Sequence, residues 1–393
     1  MVKDVFIVAA RRTPVGSFMG ALSSVAAPRL GAIAIKAALQ QAGVKPESVE
    51  QVYMGCVLPA GVGQAPARQA AIFAGLAAST PCTTINKVCG SGMKAVMLAA
   101  QSIETGESEV AVAGGMENMS QAPHYLLGSR NGYKMGHIQA IDGMIKDGLW
   151  DVYNDYHMGN AAELCAREMG FTREAQDAYA IESFKRAQEA IKSGAFQAEI
   201  APVEIPQKKG DPIIVNQDEG PFKAQFDKMP KLSPAFQKDG TITAANASTI
   251  NDGAAALVLA SGDYVRKHGL KPLARIAGYA SHAQAPEWFT TAPAQATLKV
   301  LKKSQWQLNE VDLFEVNEAF AVVSMAAMKE LNLDHQKLNV NGSGVSLGHP
   351  IGASGARLLV TLAHALANRG KRRGLASICI GGGEATAMTI ERV

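Results

Sequence analysis

The chain has 393 residues, of which 47% are hydrophobic and 19% are charged, and its formal net charge is +3. The length exceeds one ordinary hydrophobic core, so we expect roughly two or three domains, and the apolar content argues against a disordered protein. The small net charge specifies no partner. The short basic run from Arg369 to Arg373 lacks interleaved aromatic residues, which favours a solvated helix end over a nucleic-acid site.

The cysteines indicate a reducing compartment. They are odd in number, widely spaced and free of any C-x-x-C pair, which argues against a disulfide framework and against a metal site. A predicted strand begins almost at the first residue, and no apolar stretch approaches the ~18 residues that a membrane span needs. We therefore expect no targeting segment, no membrane association and a cytoplasmic location.

Short apolar runs alternate along the chain with longer alanine-rich stretches. We predict strands at Val5–Ala9, Val52–Met54, Val110–Ala113, Leu257–Leu259 and Ala376–Ile380. We predict helices at Leu30–Ala42, Met93–Thr105 and Ala356–Asn368. This alternation is typical of an α/β fold whose strands are mostly buried.

The pattern is interrupted between residues 121 and 250 by glycine, proline, aromatic and charged residues. Within this part, Arg173–Ser193 has the periodicity of an amphipathic surface helix, and Thr172 is a suitable N-cap. Long insertions in an α/β unit are usually functional. We expect a lid or a binding loop here.

One internal similarity indicates a duplication. Ser91-Gly92-x-Lys94, followed by an apolar strand that ends in Gly114-Gly115, recurs as Ser354-Gly355-x-Arg357, followed by Gly381-Gly382. Glycine turn, helix and apolar strand therefore occur twice. This predicts two related halves packed against each other, with a cleft where their turns meet.

Two cysteines and a histidine stand in glycine-containing turns, unlike the remaining cysteines. Cys89 precedes the first repeated helix, where the helix dipole can lower the pKa of a thiol. Cys379 precedes three glycines, and His349, between Gly348 and Pro350, has the right chemistry to take a proton from a thiol. A structural role for His349 stays open. Cys56, Cys82 and Cys165 are interpreted as buried hydrophobic residues.

Two further motifs allow more than one interpretation. Gly90-Ser91-Gly92-Met93-Lys94-Ala95 matches the dinucleotide-binding fingerprint, but its position near residue 90 and the preceding cysteine argue against a nucleotide cofactor. Asn317, after a predicted buried run, is either a helix N-cap or a donor to a developing oxyanion.

Taken together, these motifs resemble those of the thiolase family, in family order from Val5 to Ile390. The matching segments are Ile85–Lys94, Gly114–Ser120, Tyr156–Gly159, Asn317–Phe320, Gly348–Gly352 and Cys379–Gly383. The form Tyr156-His157-Met158-Gly159 is similar to the biosynthetic, short-chain type. That type condenses two acetyl-CoA molecules reversibly into acetoacetyl-CoA and free coenzyme A.

The resemblance implies roles for individual residues. Cys89 would be the acyl-accepting nucleophile, His349 would activate it, and Cys379 would be the general acid/base. Asn317, through a water molecule, and His349 would form one oxyanion hole, and the backbone N–H groups of Cys89 and Gly381 the other. Residues matching coenzyme A contacts are Leu149, His157, Met158, Ala247, Ser248, Ala319 and Phe320. No cofactor beyond the coenzyme A thioester and no metal is implied.

Two segments depart from the family pattern. Asn341-Gly342-Ser343-Gly344 stands where Asn-Gly-Gly-Ala is usual, which puts the hydrogen bonding of this turn in doubt. Lys223 stands near the position of an arginine that contacts the phosphate end of coenzyme A. It would act there as a point charge without the planar guanidinium fork.

The implied architecture is the thiolase fold, in which two related α/β halves form a layered αβαβα core with an inserted loop domain. We expect residues 1–120 with 250–272 in the first half, 121–249 in the loop domain and 273–393 in the second half. A homotetramer is implied, with residues 121–144 contributing to assembly. Two alternatives remain: a degradative 3-ketoacyl-CoA thiolase of broader chain length, and a non-catalytic coenzyme A-binding homologue.

Overall fold

Residues 3–393 are described by a computed structural model. The first part of the chain contains β1 (Val5–Arg12), β2 (Gly16–Ser17), α1 (Ala27–Ala42), β3 (Gln51–Gly55), α2 (Pro66–Phe73), β4 (Cys82–Ile85), α3 (Ser91–Glu104) and β5 (Val110–Asn118). The middle part contains β6 (His124–Tyr125), β7 (Ile141–Asp142), one π-helical turn (Ile145–Leu149), β8 (Trp150–Asp151), β9 (Tyr156–His157), α4 (Met158–Met169), α5 (Arg173–Lys192), β10 (Val203–Ile205) and β11 (Ile213–Val215).

The last part of the chain returns to long strands and buried helices. It contains β12 (Asn251–Ser261), α6 (Gly262–His268), β13 (Ala274–Ala283), α7 (Ala292–Ser304), β14 (Leu313–Val316), α8 (Ala321–Leu331), α9 (Gly344–Leu347), α10 (Ile351–Asn368), β15 (Arg373–Ile380) and β16 (Glu384–Arg392). All five predicted strands and the four predicted helices are confirmed, most of them with longer bounds.

The sheet order reveals the duplication. The strands run β14-β15-β16-β13-β1-β12-β5-β3-β4, and β1 joins β13 through only two residue pairs. On one side β3 is parallel to β5, and β5 is antiparallel to β12. On the other side β14 is parallel to β15, and β15 is antiparallel to β16. A fifth strand of the second half is reduced to one bridge between Phe314 and Leu338. The predicted related halves are therefore confirmed.

Three hydrophobic clusters separate the layers. One cluster packs α1 and α2 against the first half of the sheet, and another packs α7 and α8 against the second half. The third cluster lies between the halves and contains residues of α3, α10 and both parts of the sheet. The order is thus helix, sheet, helix, sheet, helix, which confirms the expected αβαβα core. The residue boundaries of the three predicted domains remain a prediction.

The two repeated helices cross in the central layer. A Cβ atom at Gly92 would lie 2.8 Å from the backbone nitrogen of Ala356, and one at Gly355 would lie 2.6 Å from that of Met93. A side chain at either position would collide with the backbone of the other helix, so glycine is required for the close approach. The crossing brings the N-terminal ends of α3 and α10, and the turns that precede them, into one place.

The middle part folds over this junction. Helix α5 begins as predicted, because the Thr172 side chain accepts a hydrogen bond from the backbone N–H of Ala175. One face of α5 is buried and the other is exposed, which confirms its amphipathic character. Within residues 3–393, no helix is long and apolar enough to cross a membrane. The same residues contain no cluster of histidine, cysteine and acidic side chains suited to a metal ion.

A buried ionic cluster fastens the middle part to β1. The Arg12 side chain is fully buried and donates to Glu199 Oε1 at 2.5 Å and to both carboxylate oxygens of Asp218 at 2.6 and 2.9 Å. Asp218 also accepts the backbone N–H of Val15 at 2.8 Å. The two carboxylates hold the pKa of Arg12 above its usual range despite burial. This cluster fixes the polypeptide on both sides of β10 and β11.

Arg12→Ala should lower the free energy of unfolding by roughly 3–5 kcal/mol, because it leaves two buried carboxylates without their cation. The exposed pair of Arg266 and Asp263 provides the control. Arg266→Ala should change the stability by less than about 1 kcal/mol, since exposed ion pairs contribute little. Urea unfolding at matched protein concentration measures both. Equal losses in the two variants would contradict the assignment of Arg12 as a structural anchor.

Candidate active site between the two halves

A cavity of about 210 Å³ lies where the turns of the two halves meet the middle part of the chain. Its walls are largely apolar. The lining residues are Cys89, Met119, Gly148, Leu149, His157, Met158, Phe236, Ala247, Ser248, Thr249, Ile250, Phe289, Ala319, Phe320, His349, Ile351 and Gly381. Of the thirteen residues predicted for the site, ten line this cavity. The exceptions are Asn317, Cys379 and Lys223.

Cys89 is presented to the cavity by a strained turn. Val88 has a φ of 44°, a left-handed conformation that is unfavourable for a β-branched residue and is typical of functional sites. The Ser91 hydroxyl closes the turn, since it accepts the N–H of Lys87 at 2.8 Å and donates to the carbonyl of Val88 at 2.6 Å. The repeated serine therefore holds the nucleophile candidate at the start of α3.

The predicted lowering of the Cys89 pKa is wrong. Burial raises the pKa of the Cys89 thiol to about 11, although the backbone N–H groups of Gly381 and of Cys89 itself point at the sulfur and oppose the shift. Removing a charged sulfur from water outweighs two N–H donors at this position. The resting thiol is therefore protonated, and a base beside it is needed.

His349 is positioned with one nitrogen available as that base. Its Nδ1 lies 2.6 Å from Ser354 Oγ, and this hydroxyl donates to the carbonyl of Pro350 at 2.9 Å. The hydroxyl oxygen must then accept a hydrogen bond from the Nδ1–H group, which leaves Nε2 unprotonated with a lone pair. Asn317 Nδ2 lies 3.5 Å from this Nε2. Burial, and then the charge of Arg357, lower the pKa of His349 to about 3, so the resting imidazole is neutral.

Cys379 does not itself line the cavity but adjoins Cys89 and Ala319, which do. Its side chain is fully buried at the end of β15 and packs with the core of the second half. Burial, and then the nearby Cys89 sulfur, raise the pKa of Cys379 well above its usual value. The backbone N–H groups of Cys379 and Ala319 oppose this shift. The structure thus brings the two predicted cysteines close together and keeps both protonated at rest.

Asn317 is also buried, directly after β14. Its backbone N–H donates to the carbonyl of Ser377 at 3.0 Å, and its side-chain Oδ1 has no hydrogen-bond partner among residues 3–393. The N-cap interpretation is wrong, because α8 begins four residues later and Asn317 forms no cap there. The amide lies beside His349 instead, as expected for a donor pair.

Aromatic side chains close the apolar side of the cavity. His157 stacks on Phe236 with ring centroids 4.7 Å apart, and Phe320 contacts both Phe236 and Phe289 edge to face. His157 accepts the backbone N–H of Gly159 at 3.0 Å, which fixes its ring at the start of α4. Burial lowers the pKa of His157. These stacked and edge-to-face rings form an apolar wall of the cavity of about 210 Å³.

A second, more open cavity of about 690 Å³ continues from the first and shares Ser248, Thr249 and Ile250 with it. Lys223 lies in this second cavity. Its Nζ donates to Glu219 Oε1 at 2.6 Å and to Ser17 Oγ at 3.0 Å. Lys228 also lines the cavity. Together the two cavities form one path from the surface to Cys89.

Comparison with known proteins identifies the family. Residues 5–263 match the family described as thiolase, N-terminal domain, and residues 270–392 match thiolase, C-terminal domain. The chain belongs to the thiolase family.

Several relatives of this thiolase carry the same descriptive name. It is 54% identical over 390 residues to the acetyl-CoA acetyltransferase of Cupriavidus necator, with 99% of each chain covered. It is 53% identical to acetyl-CoA acetyltransferase 1 of Arabidopsis thaliana over 99% of this chain and 94% of the relative. The mitochondrial acetyl-CoA acetyltransferase of Bos taurus is 51% identical, with 99% and 92% covered.

Some site residues of this thiolase were missed by the sequence analysis. Phe236 and Phe289 stand in loops with no local pattern, so no signal could have identified them. Ser354 was noticed as part of the repeat, but its contact with His349 was not expected. The position shared by Ser91 and Ser354 is the available signal, since a serine repeated in the first turn of both buried helices indicates a common local role.

Proposed function

We propose that this thiolase catalyses the reversible condensation of two acetyl-CoA molecules to acetoacetyl-CoA and free coenzyme A, with an acetyl group carried on Cys89. The relatives named above are acetyl-CoA acetyltransferases, which supports an acetyl-transferring enzyme. The observation that carries the proposal is the single apolar cavity onto which Cys89, His349 and Gly381 open from the two halves.

In the first half-reaction, Cys89 Sγ attacks the thioester carbonyl of acetyl-CoA while His349 Nε2 takes its proton. Because burial disfavours both the thiolate and the imidazolium, this proton transfer should accompany the attack rather than precede it. The N–H groups of Cys89 and Gly381, which point at the Cys89 sulfur, would stabilise the carbonyl oxygen as it becomes negative. The carbon–sulfur bond to coenzyme A breaks, and the Cys379 thiol protonates the departing sulfur.

In the second half-reaction, the Cys379 thiolate removes a proton from the methyl group of the second acetyl-CoA. The raised pKa of Cys379 suits both roles, because the thiol is protonated at rest and the thiolate is a strong base once formed. Asn317, through a water molecule, and protonated His349 stabilise the enolate oxygen. The enolate carbon then bonds to the acetyl carbon, and the Cys89 sulfur leaves and regains its proton from His349.

Coenzyme A would occupy the path formed by the two cavities. Leu149, His157, Met158, Ala247, Ser248, Ala319 and Phe320 would contact the pantetheine arm. Lys223 and Lys228 would face the phosphate end. Lys223 is already paired with Glu219, so its contribution to phosphate binding should be weaker than that of an unpaired cation.

We expect the cavity of about 210 Å³, closed on its apolar side by aromatic rings, to favour acetoacetyl-CoA over longer 3-ketoacyl-CoA substrates. Thiolysis rates for acetoacetyl-CoA and a 3-ketoacyl-CoA of eight or more carbons test this, with about 10-fold or greater preference expected from steric exclusion. Equal rates would favour the degradative alternative. Mass spectrometry after mixing with acetyl-CoA tests catalysis itself. Absence of an acetyl group on Cys89 would favour a non-catalytic homologue.

Assembly and location are also proposals. The arm formed by residues 121–144 exposes Leu126, Leu127 and Met135, and exposed apolar side chains on a protruding segment are typical of an interface between subunits. We expect a homotetramer, which light scattering coupled to size exclusion measures. A cytoplasmic location and the lack of any cofactor besides the coenzyme A thioester remain predictions.

Ser354→Ala should lower kcat about 10- to 100-fold. This is the range found in metal sites when the hydrogen-bond partner that orients a metal-binding histidine is removed. The substitution removes the acceptor at Nδ1, so His349 no longer keeps Nε2 unprotonated. Steady-state thiolysis of acetoacetyl-CoA measures the effect.

The matched control for this prediction is Ser102→Ala. Ser102 is a buried serine on α3 that contacts Ser108 and the carbonyl of Ala99. It should leave kcat close to the wild-type value. An unchanged kcat in Ser354→Ala would show that the tautomer of His349 is fixed in some other way.

A further inference from the structure

A buried carboxylate lies directly behind the candidate catalytic loop and has no part in the proposed chemistry. Glu318 follows Asn317, is fully buried, and lines neither of the two cavities. A carboxylate in such a place is costly unless donors surround it. The hydrogen-bond partners of Glu318 therefore show which segments of the chain this carboxylate connects.

Both oxygens of Glu318 are satisfied by donors from three separate parts of the chain. Oε1 accepts the hydroxyl of Tyr179 at 2.9 Å and Nδ2 of Asn339 at 2.8 Å. Oε2 accepts the hydroxyl of Ser183 at 2.7 Å and the backbone N–H of Val345 at 3.1 Å. Burial raises the pKa of Glu318, and these donors oppose the shift. The carboxylate joins α5 and α9 to the loop of Asn317.

One of these donors also fixes the backbone beside Asn317. The Asn339 side chain accepts the N–H of Val316 at 2.9 Å through Oδ1 and donates to the carbonyl of Val316 at 2.9 Å through Nδ2. The same Nδ2 reaches Glu318. Asn339 thus ties the end of β14 to the carboxylate, and the position of the next residue, Asn317, depends on this contact.

Another donor controls the segment that carries His349. Val345 belongs to α9, which leads directly into Gly348 and His349. A Cβ atom at Gly344 would lie 2.7 Å from the carbonyl oxygen of Glu318 and 3.2 Å from Asn317 Oδ1, so α9 rests on the Asn317 loop itself. The carboxylate therefore bridges the two segments whose side chains form the donor pair.

We propose that Glu318 is a positioning residue that sets the distance between the Asn317 amide and the His349 imidazole. This inference rests on the proposed function, in which that pair stabilises the enolate. Formation of the carbon–carbon bond should then depend on Glu318 more strongly than acetyl transfer to Cys89 does, because only that step uses both members of the pair. The first half-reaction needs His349 alone, as a proton acceptor, and takes its oxyanion donors from the backbone of Cys89 and Gly381.

Glu318→Gln tests the inference. The glutamine amide has the same shape as the carboxylate, but its NH₂ group would face hydrogen-bond donors that now point at a carboxylate oxygen. We expect the kcat for condensation to fall about 10- to 100-fold, as happens when reacting groups are displaced by an ångström or less. This kcat is expressed per active site, and the active sites are counted by acetylation with acetyl-CoA. The KM for acetyl-CoA and the acetylation of Cys89 should stay close to wild type. A merely structural residue would lower stability and the number of active sites, but not kcat per site.

Glu163→Gln is the matched control. Glu163 is also a buried carboxylate of the middle part, and it accepts the backbone N–H groups of Thr241 and Ile242. It should lower the melting temperature and leave kcat per site unchanged. Should Glu318→Gln fail to fold, Ser183→Ala removes one donor only and should show the same selective loss on a smaller scale.

Two results would overturn the inference. The first is a kcat per site in Glu318→Gln equal to that of the wild type, and the second is an equal loss in both half-reactions. Both presuppose that wild-type Cys89 becomes acetylated. Lack of acetylation in the wild-type protein would overturn the proposed function, and this inference with it, so the two failures are distinguishable.

Discussion

Cys89→Ala should reduce condensation and thiolysis at least about 10⁴-fold, because no other group can carry the acetyl intermediate when the nucleophile is removed. Cys89 is the cysteine that lines the cavity, and the strained turn at Val88 presents it there. Steady-state thiolysis of acetoacetyl-CoA measures the loss. Intact-mass analysis after mixing with acetyl-CoA should show an acetylated wild-type chain and an unmodified variant.

Cys165→Ala provides the control for this prediction. Cys165 is fully buried in the outer core of the second half and contacts Met169, so its removal should cost stability without affecting turnover. A Cys89→Ala protein that retains substantial activity would contradict the assigned nucleophile. Acetylation of a different cysteine in the wild type would contradict it independently of the kinetics.

The repeat was the sequence feature that best predicted the site. Ser91-Gly92 and Ser354-Gly355 are equivalent in the structure, since each glycine lies at the helix crossing and each serine is bonded to the turn before its helix. The serine can be recognised locally, because it bonds to the turn beside it, whereas each glycine is required by the close approach of the other helix. Convergence of the two turns then follows from the packing of related halves.

Features that depend on distant contacts could not be predicted. The direction of the Cys89 pKa shift depends on how deeply the sulfur is buried and on which donors reach it, and one of these donors, Gly381, lies 292 positions away in the sequence. The aromatic row and the partners of Glu318 are likewise drawn from several parts of the chain. The predicted strand Leu257–Leu259 is shorter than β12. The first half of β12 consists of Asn251, Asp252, Gly253 and three alanines, and these residue types have weak strand propensity.

Cys379→Ala should separate the two half-reactions. Condensation should fall roughly 10²- to 10⁴-fold, the usual contribution of a general base. Cys89 should still become acetylated, though more slowly, because the coenzyme A thiolate can leave without a proton from Cys379. Exchange of the methyl protons of acetyl-CoA with deuterium from solvent should be lost as well, because it requires the same proton abstraction. The expected contrast follows from the two roles, since Cys89, which lines the cavity, would carry the acetyl group, and Cys379, beside it, would move the proton.

Ser377→Ala is the matched control for the Cys379→Ala substitution. Ser377 and Cys379 lie two residues apart on β15 and so share one face of the sheet, and the Ser377 hydroxyl has no hydrogen-bond partner among residues 3–393. Its removal takes a similar volume from the same strand, so loss of packing alone should affect both variants equally. If Ser377→Ala lost as much condensation as Cys379→Ala, Cys379 would shape the pocket rather than move a proton. If both half-reactions survived, another group would have to remove the α-proton, and the high pKa of Cys379 would reflect burial alone.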